Sequence, residues 1–468
     1  MTTGLLVQAT LCCLTAWTPL GATPQDSATR DRAEGADHRA AALLIQQERD
    51  DLQILAREKL AHAKVASLYE NVTDPVNGRG AAGMIRVLRE THTDLIFRGF
   101  FRWYPVPESP DEIPQALVEI GRGMNARQLA EAVRASGAYY RQLRETIAAL
   151  KKEMPDILFC GAIAAQRVHR IEHDPITGKT IAEEDTWKMA LDPCSWDIRL
   201  RNKPVTKEEL QQNWAGPRKW ADAMGYDRRK AKAYLPDIAN TAFQELLVNL
   251  AKKQIDCGAD AIWIDGLPQA KLLAKILKLD ASHPLMKANT EAAARIVAQI
   301  HAYGETRGKR ILVGGWAGEL VFPDADEEFP YPDPDFDFVT MTPIEAEVEA
   351  KRLNAPRWER MVASVRKRMK DVPIFAFIDW SYDASPTVSF SQKLSQTEQR
   401  EFLKHCDEFM RARGVTFIYP IRGGFMGRGK ATTRLSFGKD RMYDSLAPEF
   451  ETYETIRELA RKKANGEK

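Results

Sequence analysis

The fold is decided by the stretch Gly258-Ala259-Asp260-Ala261-Ile262-Trp263-Ile264-Asp265. A glycine of the kind that ends helices comes first, a short apolar run follows, and a carboxylate closes the run. The same order recurs where Gly308 precedes Ile311 and where Gly414 precedes Thr416. Short apolar runs without alternation are typical of parallel strands covered on both faces. The pattern therefore predicts a parallel sheet whose strands are joined by helices.

Outward from this stretch, short β-rich runs alternate with longer helical segments along most of the chain. The predicted strands are Val65–Tyr69, Leu95–Trp103, Ile157–Ala162, Ala261–Asp265, Ile311–Trp316, Phe338–Met341, Ile374–Asp379 and Thr416–Ile421. The predicted helices are Ala81–Thr91, Asn125–Glu153, Pro236–Cys257, Ala270–Leu279 with Thr290–Arg307, Arg357–Lys370, Ser395–Arg413 and Phe450–Lys463. Eight strands in this alternation predict an α/β fold, a (β/α)8 TIM barrel with long βα loops and an N-terminal helical extension.

A doubly wound open sheet is the competing fold. The turn after the first strand, Asn77-Gly78-Arg79-Gly80, is too short for the glycine-rich dinucleotide loop of such sheets. The longest predicted loop, Ala165–Leu235, follows strand 3 and carries Trp187, Trp196, Trp214 and Trp220. Because active sites of these barrels lie at the C-terminal ends of the strands, long loops there indicate a shaped binding cleft.

The first residues resemble an export signal. Leu5 to Leu20 is mostly apolar or small, and Leu20-Gly21-Ala22 is a suitable cleavage site, although the basic residue expected near Met1 is missing. We expect a signal peptide over residues 1–22, a linker and N-terminal helix over 23–62, and a catalytic barrel over 63–468. The protein is then secreted or periplasmic, and no later segment is long and apolar enough for a membrane span.

The charge balance and the cysteine spacing limit which partners and metal sites are expected. The 468 residues include 67 basic and 65 acidic side chains without blocks of one sign, which gives no reason to expect nucleic acid as a partner. The oligomeric state stays open. Four cysteines follow the leader without a CxxC pair, so a metal cluster is not expected. Cys160, Cys257 and Cys406 are predicted to be buried thiols, and a disulfide through Cys194 remains open.

Three strand ends carry carboxylates, and these are the candidate catalytic residues. Asp265 ends strand 4, Glu319 follows strand 5, and Asp379 ends strand 7. Burying a charge at the end of an apolar run is costly unless the charge is paired or lies in a wet pocket, such as the mouth of a barrel. Strands 4 and 7 lie on roughly opposite sides of the barrel, so Asp265 and Asp379 could flank a substrate. Glycosidic bond cleavage needs such a pair. A carboxylate after a strand also serves often as a helix cap.

Aromatic and guanidinium side chains accumulate at the same strand ends. Flat rings suit the apolar faces of sugars, and arginine forks suit hydroxyl or carboxylate groups. The candidate substrate-binding residues are Arg98, Trp103, Tyr104, Trp316, Trp380, Tyr382 and Arg422. Some of these rings could instead pack under loops, as Trp263 inside its strand should, and the arginines could instead pair with the acidic residues.

Other chemistries fit less well. His169, Glu172 and His173 form a small group in a loop without the HExxH pattern of a zinc site. The acidic run Asp324-Ala325-Asp326-Glu327-Glu328 is best read as a solvated loop rather than a calcium site. No metal and no cofactor is expected.

With these residues in place, the chain resembles glycoside hydrolases of the (β/α)8 superfamily. The resemblance is carried by Pro236-Asp237-Ile238-Ala239-Asn240, a helix, and then Cys257 to Asp265. It implies that Asp265 is a nucleophile or a proton donor. The Asn-Glu pair that follows strand 4 in many β-glycan hydrolases is absent, which puts a cellulase-like activity in doubt.

The predicted function is that of a glycosidase acting on an extracellular poly- or oligosaccharide, with a carbohydrate as the partner. Two alternatives stay open: a non-catalytic carbohydrate-binding barrel, and another hydrolase or lyase that uses the same carboxylates.

Overall fold

The computed structural model describes residue 47 and residues 51–75, 79–121, 123–200, 203–214, 233–317, 330–379, 386–428 and 440–467. The chain divides into two compact units, Met1–Gln53 and Ile54–Lys468. The predicted signal peptide and most of the predicted linker lie outside the described residues. Of the first unit, residues 47 and 51–53 are described and are helical.

Eight parallel strands form one closed sheet in the second unit. They are β1 (Ala66–Tyr69), β2 (Leu95–Phe97), β3 (Leu158–Ala164), β4 (Ala261–Asp265), β5 (Leu312–Trp316), β6 (Phe338–Met341), β7 (Ile374–Ala376) and β8 (Thr416–Arg428). Each strand pairs with the next in sequence, and β8 pairs in parallel with β1. A further strand, β9 (Asp440–Asp444), runs antiparallel to the outer part of β8. The predicted TIM barrel is confirmed, and the open sheet is excluded.

Helices connect the strands. Among the described residues after β1, the α-helices of five or more residues are, in chain order, α1 (Ala81–Glu90), α2 (Gln115–Ile120), α3 (Ala126–Ser136), α4 (Tyr140–Glu153), α5 (Glu183–Met189), α6 (Lys207–Trp214), α7 (Thr241–Asp256), α8 (Ala270–Leu277), α9 (Pro284–Thr306), α10 (Glu345–Glu349), α11 (Ala355–Met369), α12 (Gln396–Arg411) and α13 (Tyr453–Ala464). Capping boxes begin α3 at Asn125 and α12 at Ser395, which fixes where these two helices start.

Two predicted elements are divided in the structure. The predicted helix Asn125–Glu153 breaks at Gly137, which has φ +65° and lies so close to Thr73 that a Cβ would come 2.2 Å from its carbonyl oxygen. The predicted strand Leu95–Trp103 ends at Phe97, because Arg98 takes a left-handed φ of +56°. Pairing with β3 resumes at Phe101–Arg102.

Alternation along the strands separates the barrel interior from the helix layer. In β4, Ala261 and Trp263 belong to the apolar cluster inside the barrel, whereas Ile262 and Ile264 pack against the helices. In β7 and the residues after it, Phe375 and Phe377 face inward in the same way. As predicted, Trp263 is buried packing, and its indole N–H donates to Thr340 Oγ1 at 3.0 Å.

Residues 54–62 of the N-terminal helix belong to the barrel unit and cover its bottom. Leu60 packs into the interior cluster with residues that begin the strands, such as Ala66 and Leu312. Arg57 Nε donates to Oδ1 of the buried Asp337, which precedes β6, at 3.1 Å. These contacts make residues 54–62 part of the barrel unit rather than a free helix.

The long segment after β3 has a small core of its own. Leu191, Ile198 and Leu235 pack with residues of α8 and α9 in a separate apolar cluster. Two of its tryptophans are used internally: Trp187 packs edge-on against Tyr234, and Trp196 donates to Asp237 at 3.3 Å.

The cysteines behave as predicted where burial is concerned. Cys160, Cys257 and Cys406 are buried free thiols, and Cys194 is an exposed free thiol. Among the described residues, no helix has the length and apolar character that crossing a bilayer requires.

Candidate functional site

Asp265 and Asp379 enter the barrel mouth because of strand alternation. Asp265 has the parity of Ala261 and Trp263, and Asp379 has the parity of Phe375 and Phe377. Both therefore point inward at the C-terminal ends of their strands, where active sites of this fold lie. Asp379 is buried, whereas Asp265 keeps part of its surface open.

Arg98 joins the acidic side chains at the mouth. Its guanidinium forms one ion pair with Asp379 and a second with Glu70. It lies over the rings of three aromatic residues, at 4.6, 5.4 and 5.6 Å from the centroids of Phe101, Trp263 and Phe377 respectively. Burial alone would lower the pKa of Arg98, but the facing carboxylates raise it above its usual value, so this residue is a fixed positive charge.

Both oxygens of Asp265 are held by neutral donors. Trp316 Nε1 donates to Oδ1 and Gln166 Nε2 donates to Oδ2, each at 2.7 Å. Burial raises the pKa of Asp265 to about 6, and the charge of Asp379 acts in the same direction. These two donors and Arg98 oppose the shift without cancelling it. A carboxyl whose pKa is raised in this way is suited to act as a general acid at a milder pH than an ordinary aspartate.

Glu70 is a carboxylate of the mouth that the sequence interpretation missed. It directly follows β1, is buried, and accepts a hydrogen bond from the Gly424 N–H at 3.3 Å. Burial and the nearby charge of Asp379 raise its pKa above the usual range, although Arg98 opposes this. The signal was present, since Glu70 closes the apolar run Val65–Tyr69 just as Asp265 closes its own run.

The predicted aromatic residues divide into two kinds. Trp103 and Tyr104 are half-exposed, with the guanidinium of Arg167 at 4.2 Å from the Trp103 ring centroid and His169 at 5.6 Å from that of Tyr104. They keep surface for a ligand. Trp316 is buried and stacks on Phe377 at 5.5 Å, so it orients Asp265 rather than offering a ring face to a sugar.

Arg422 pairs with an acidic residue and does not present its guanidinium to a substrate, which is the second of the two roles that the sequence left open for the arginines. It is buried, and its Nη2 donates to Oδ2 of Asp74, also buried, at 2.7 Å. This pairing leaves Arg422 almost no surface for a substrate. The other predicted site residues, Glu319, Trp380 and Tyr382, lie outside the described residues, as does the acidic run from Asp324 to Glu328.

The His169 group forms a polar network in which His169 and Glu172 are buried and His173 is partly buried. Glu172 accepts from Arg102 at 2.5 Å and contacts His169 Nδ1 at 2.8 Å, which links the short strands Val168–His169 and Glu172–His173 that follow β3. Burial lowers the pKa of His169. Over the described ranges, no group of three or more histidine, cysteine, aspartate or glutamate side chains is arranged to hold a metal ion.

The chain is similar to solved structures of other proteins, although its sequence matches no known family. No protein-family model matches the chain, and no curated protein matches its sequence. Among solved structures, it is similar to the glycoside hydrolase domain of PelA from Pseudomonas aeruginosa, with 13% identity, a TM-score of 0.33, and coverage of 59% of this chain and 83% of that one.

Two further solved structures align over more of this chain. A Nostoc punctiforme debranching enzyme has 12% identity and a TM-score of 0.43, covering 83% of this chain and 70% of its own. Eubacterium rectale Amy13B has 11% identity and a TM-score of 0.39, covering 86% and 77%. The closed eight-stranded barrel confirms the fold that the predicted resemblance to barrel glycoside hydrolases implies. The three matches have TM-scores below 0.5 and carry no argument, and activity depends on the site itself.

Proposed function

We propose that the protein is a glycoside hydrolase that cleaves glycosidic bonds of an extracellular poly- or oligosaccharide. Asp265 is the proton donor to the leaving oxygen, and Asp379 is the ionised partner on the other side of the cleft. Asp379 either attacks the sugar or activates water, and the separation of the two carboxyl groups decides which. The extracellular setting follows from the predicted leader over residues 1–22.

One observation carries this proposal: two carboxyl groups at the barrel mouth are held by different partners. Asp265 is held by neutral donors and has a pKa raised to about 6, whereas Asp379 is in an ion pair with Arg98. Paired carboxyls whose environments separate their protonation are the arrangement that acid–base hydrolysis of glycosides uses. The half-exposed rings of Trp103 and Tyr104 supply a surface for a sugar face.

Glu319 remains a proposal as a third carboxylate of the same mouth. It follows β5 by three residues, just beyond the tryptophan that holds Asp265. The variant Glu319→Gln tests whether Glu319 is the proton donor. If Glu319 were the proton donor in place of Asp265, this variant and not Asp265→Asn would retain turnover of substrates with good leaving groups.

A non-catalytic carbohydrate-binding barrel is the second candidate. The ion pair of Asp379 with Arg98 is compatible with this candidate as well, because binding a sugar requires no free carboxylate. Such a protein would bind oligosaccharides without turnover, and Asp265→Asn would change its affinity little.

The deciding experiment is a hydrolysis screen of the full-length protein on a panel of purified glycans, read by release of reducing ends. We expect turnover of at least one glycan, and binding without turnover by Asp265→Asn on the same glycan. Binding without turnover by the parent protein would favour the second candidate. Unsaturated sugar products would show a lyase and contradict hydrolysis.

A further inference from the structure

Glu70 is held as firmly as the proposed catalytic pair, yet no step of the proposed reaction uses it. Its side chain is about 5% exposed, and its Oε1 is ion-paired with Arg98. Its backbone N–H donates to the carbonyl oxygen of Arg422 at 2.7 Å, which continues the closure of β1 against β8. A charged side chain this deeply buried costs free energy unless it is paired and hydrogen-bonded, and Arg98 and the Gly424 N–H meet that need here.

The backbone of β8 is shaped to receive Glu70. Gly423 has φ +133°, and a Cβ at this position would come 2.8 Å from Glu70 Cγ. The next residue, Gly424, has φ +85° and donates its N–H to Glu70 Oε2 at 3.3 Å. Two consecutive glycines with positive φ thus let the backbone approach the carboxylate, which a side chain at position 423 would prevent.

Arg98 is held in one orientation by its backbone, by three aromatic rings and by Glu70. Its own φ is +56°, an uncommon conformation for a residue other than glycine, and three aromatic rings surround its guanidinium. Glu70 and Asp379 bind different nitrogens of that guanidinium, Nη2 and Nη1. Because the guanidinium is planar and rigid, fixing one nitrogen fixes the direction of the other.

We propose that Glu70 is a positioning residue of the glycosidase site, which orients Asp379 and limits the positive charge facing Asp265, both through Arg98. This inference rests on the proposed function for its catalytic meaning. Glu70 shares the guanidinium of Arg98 with Asp379. It acts through the guanidinium, and the glycine pair on β8 holds it there.

The charge balance gives the direction of the effect. The groups that face Arg98 are Glu70 from β1, Asp265 from β4 and Asp379 after β7. In Glu70→Gln the guanidinium loses one of its counter-charges, so it stabilises the ionised form of Asp265 more strongly. The pKa of Asp265 should then fall from about 6. Loss of Arg98 itself would have the opposite effect and would raise the pKa of Asp265.

The test is a carboxyl titration by NMR on the full-length protein labelled with 13C at aspartate side chains, with Asp265→Asn identifying the signal of Asp265. We expect Glu70→Gln to lower the Asp265 midpoint by about half a unit to one unit. On a glycan that the parent protein hydrolyses, kcat should fall about ten- to hundred-fold with little change in KM, because a misaligned group loses transition-state contacts.

Glu347→Gln is the matched control. Glu347 is equally buried and ion-paired with the buried Arg357 at 3.0 Å, but it lies on α10 in the helix layer. Its loss should lower the melting temperature without moving the Asp265 midpoint. If Glu70→Gln leaves the midpoint in place, or if Glu347→Gln moves it equally, the proposal is overturned.

A second variant covers the case in which Glu70→Gln does not fold. Glu70→Asp keeps the charge but withdraws the carboxylate by one methylene. We expect the midpoint to stay within about 0.3 units of the parent value while kcat falls at least several-fold. Parent-like kcat in Glu70→Asp would overturn the positioning role. Since the titration needs no turnover, a parent protein that hydrolyses nothing would contradict the proposed function and leave the coupling through Arg98 to be judged separately.

Discussion

The indole N–H of Trp316 donates to Oδ1 of Asp265 over 2.7 Å. The bond stabilises the ionised carboxylate and therefore opposes the burial that raises the pKa of Asp265. Trp316→Phe keeps a ring to stack on Phe377 but removes the donor. We expect it to raise the pKa of Asp265, so that the alkaline limb of kcat/KM moves to higher pH by about half a unit to one unit.

The control for this prediction lies in the helix layer. Trp358→Phe removes the indole N–H of another buried tryptophan, which donates to Glu347 Oε1 at 3.1 Å. Its pH–rate profile should keep the parent limb. An equal displacement in both variants would mean that general loosening of the barrel, and not the hydrogen bond, sets the pKa of Asp265.

Replacing the proposed proton donor should separate turnover from binding. Asp265→Asn preserves the size of the side chain but has no proton to give at the pKa of a carboxyl. We expect kcat to fall by about 10²- to 10⁴-fold on a natural glycan, with oligosaccharide affinity retained in calorimetry. Asp260→Asn changes the carboxylate just before the N-terminal end of the same strand, where Asp260 pairs with Lys151 at 2.6 Å, and it should affect stability alone.

The raised pKa of Asp265 also predicts how stability depends on pH. In the folded protein the group binds its proton more tightly than in the unfolded chain, with a pKa of about 6 against 3.8. Its contribution is therefore fully present below about pH 4 and is lost as the pH rises through 6.

A shift of about two units corresponds to at most about 3 kcal/mol, and the partial exposure of Asp265 reduces this to roughly 2 kcal/mol. Between pH 4 and 7, urea unfolding of the parent should lose about that much more free energy than Asp265→Asn loses. Parallel stability curves for the two proteins would show that the pKa of Asp265 is not raised.

Arg98 should matter for both stability and activity. Arg98→Met leaves Glu70 and Asp379 buried without their shared counter-charge, and breaking such a pair costs about 3–5 kcal/mol. We expect a loss of unfolding free energy of that order together with loss of turnover. Arg357→Met breaks the buried pair with Glu347 and should cost stability while the remaining folded enzyme keeps its kcat. Normal kcat in folded Arg98→Met would contradict the role given to this arginine.

The sequence predicted the barrel well because its strands are short apolar runs with glycine-ended helices before them. It also placed Asp265 and Asp379 at the mouth, since each closes such a run. Alternation then carried both side chains inward, and this follows from the strand parity of Trp263 and Phe377.

What the sequence did not predict depends on contacts between distant parts of the chain. Glu70 and Arg422 both end apolar runs, but their partners come from other strands and loops, so their roles could not be distinguished from local pattern. Arg98 interrupts its strand with a left-handed residue that no propensity indicates. Gly137 breaks a helix whose apolar period continues on both sides, because the barrel loop at Thr73 packs against it.

The central claim is that Asp265 gives a proton to the leaving group, and leaving-group dependence tests it most directly. Once a sugar is identified, Asp265→Asn is compared with the parent on its glycan and on an aryl glycoside whose phenol leaves without protonation. We predict a loss of at least about 100-fold on the glycan and less than about 10-fold on the aryl glycoside in glycosidic bond cleavage. Equal losses on both substrates would contradict the assignment and would make Asp265 the residue that attacks the sugar.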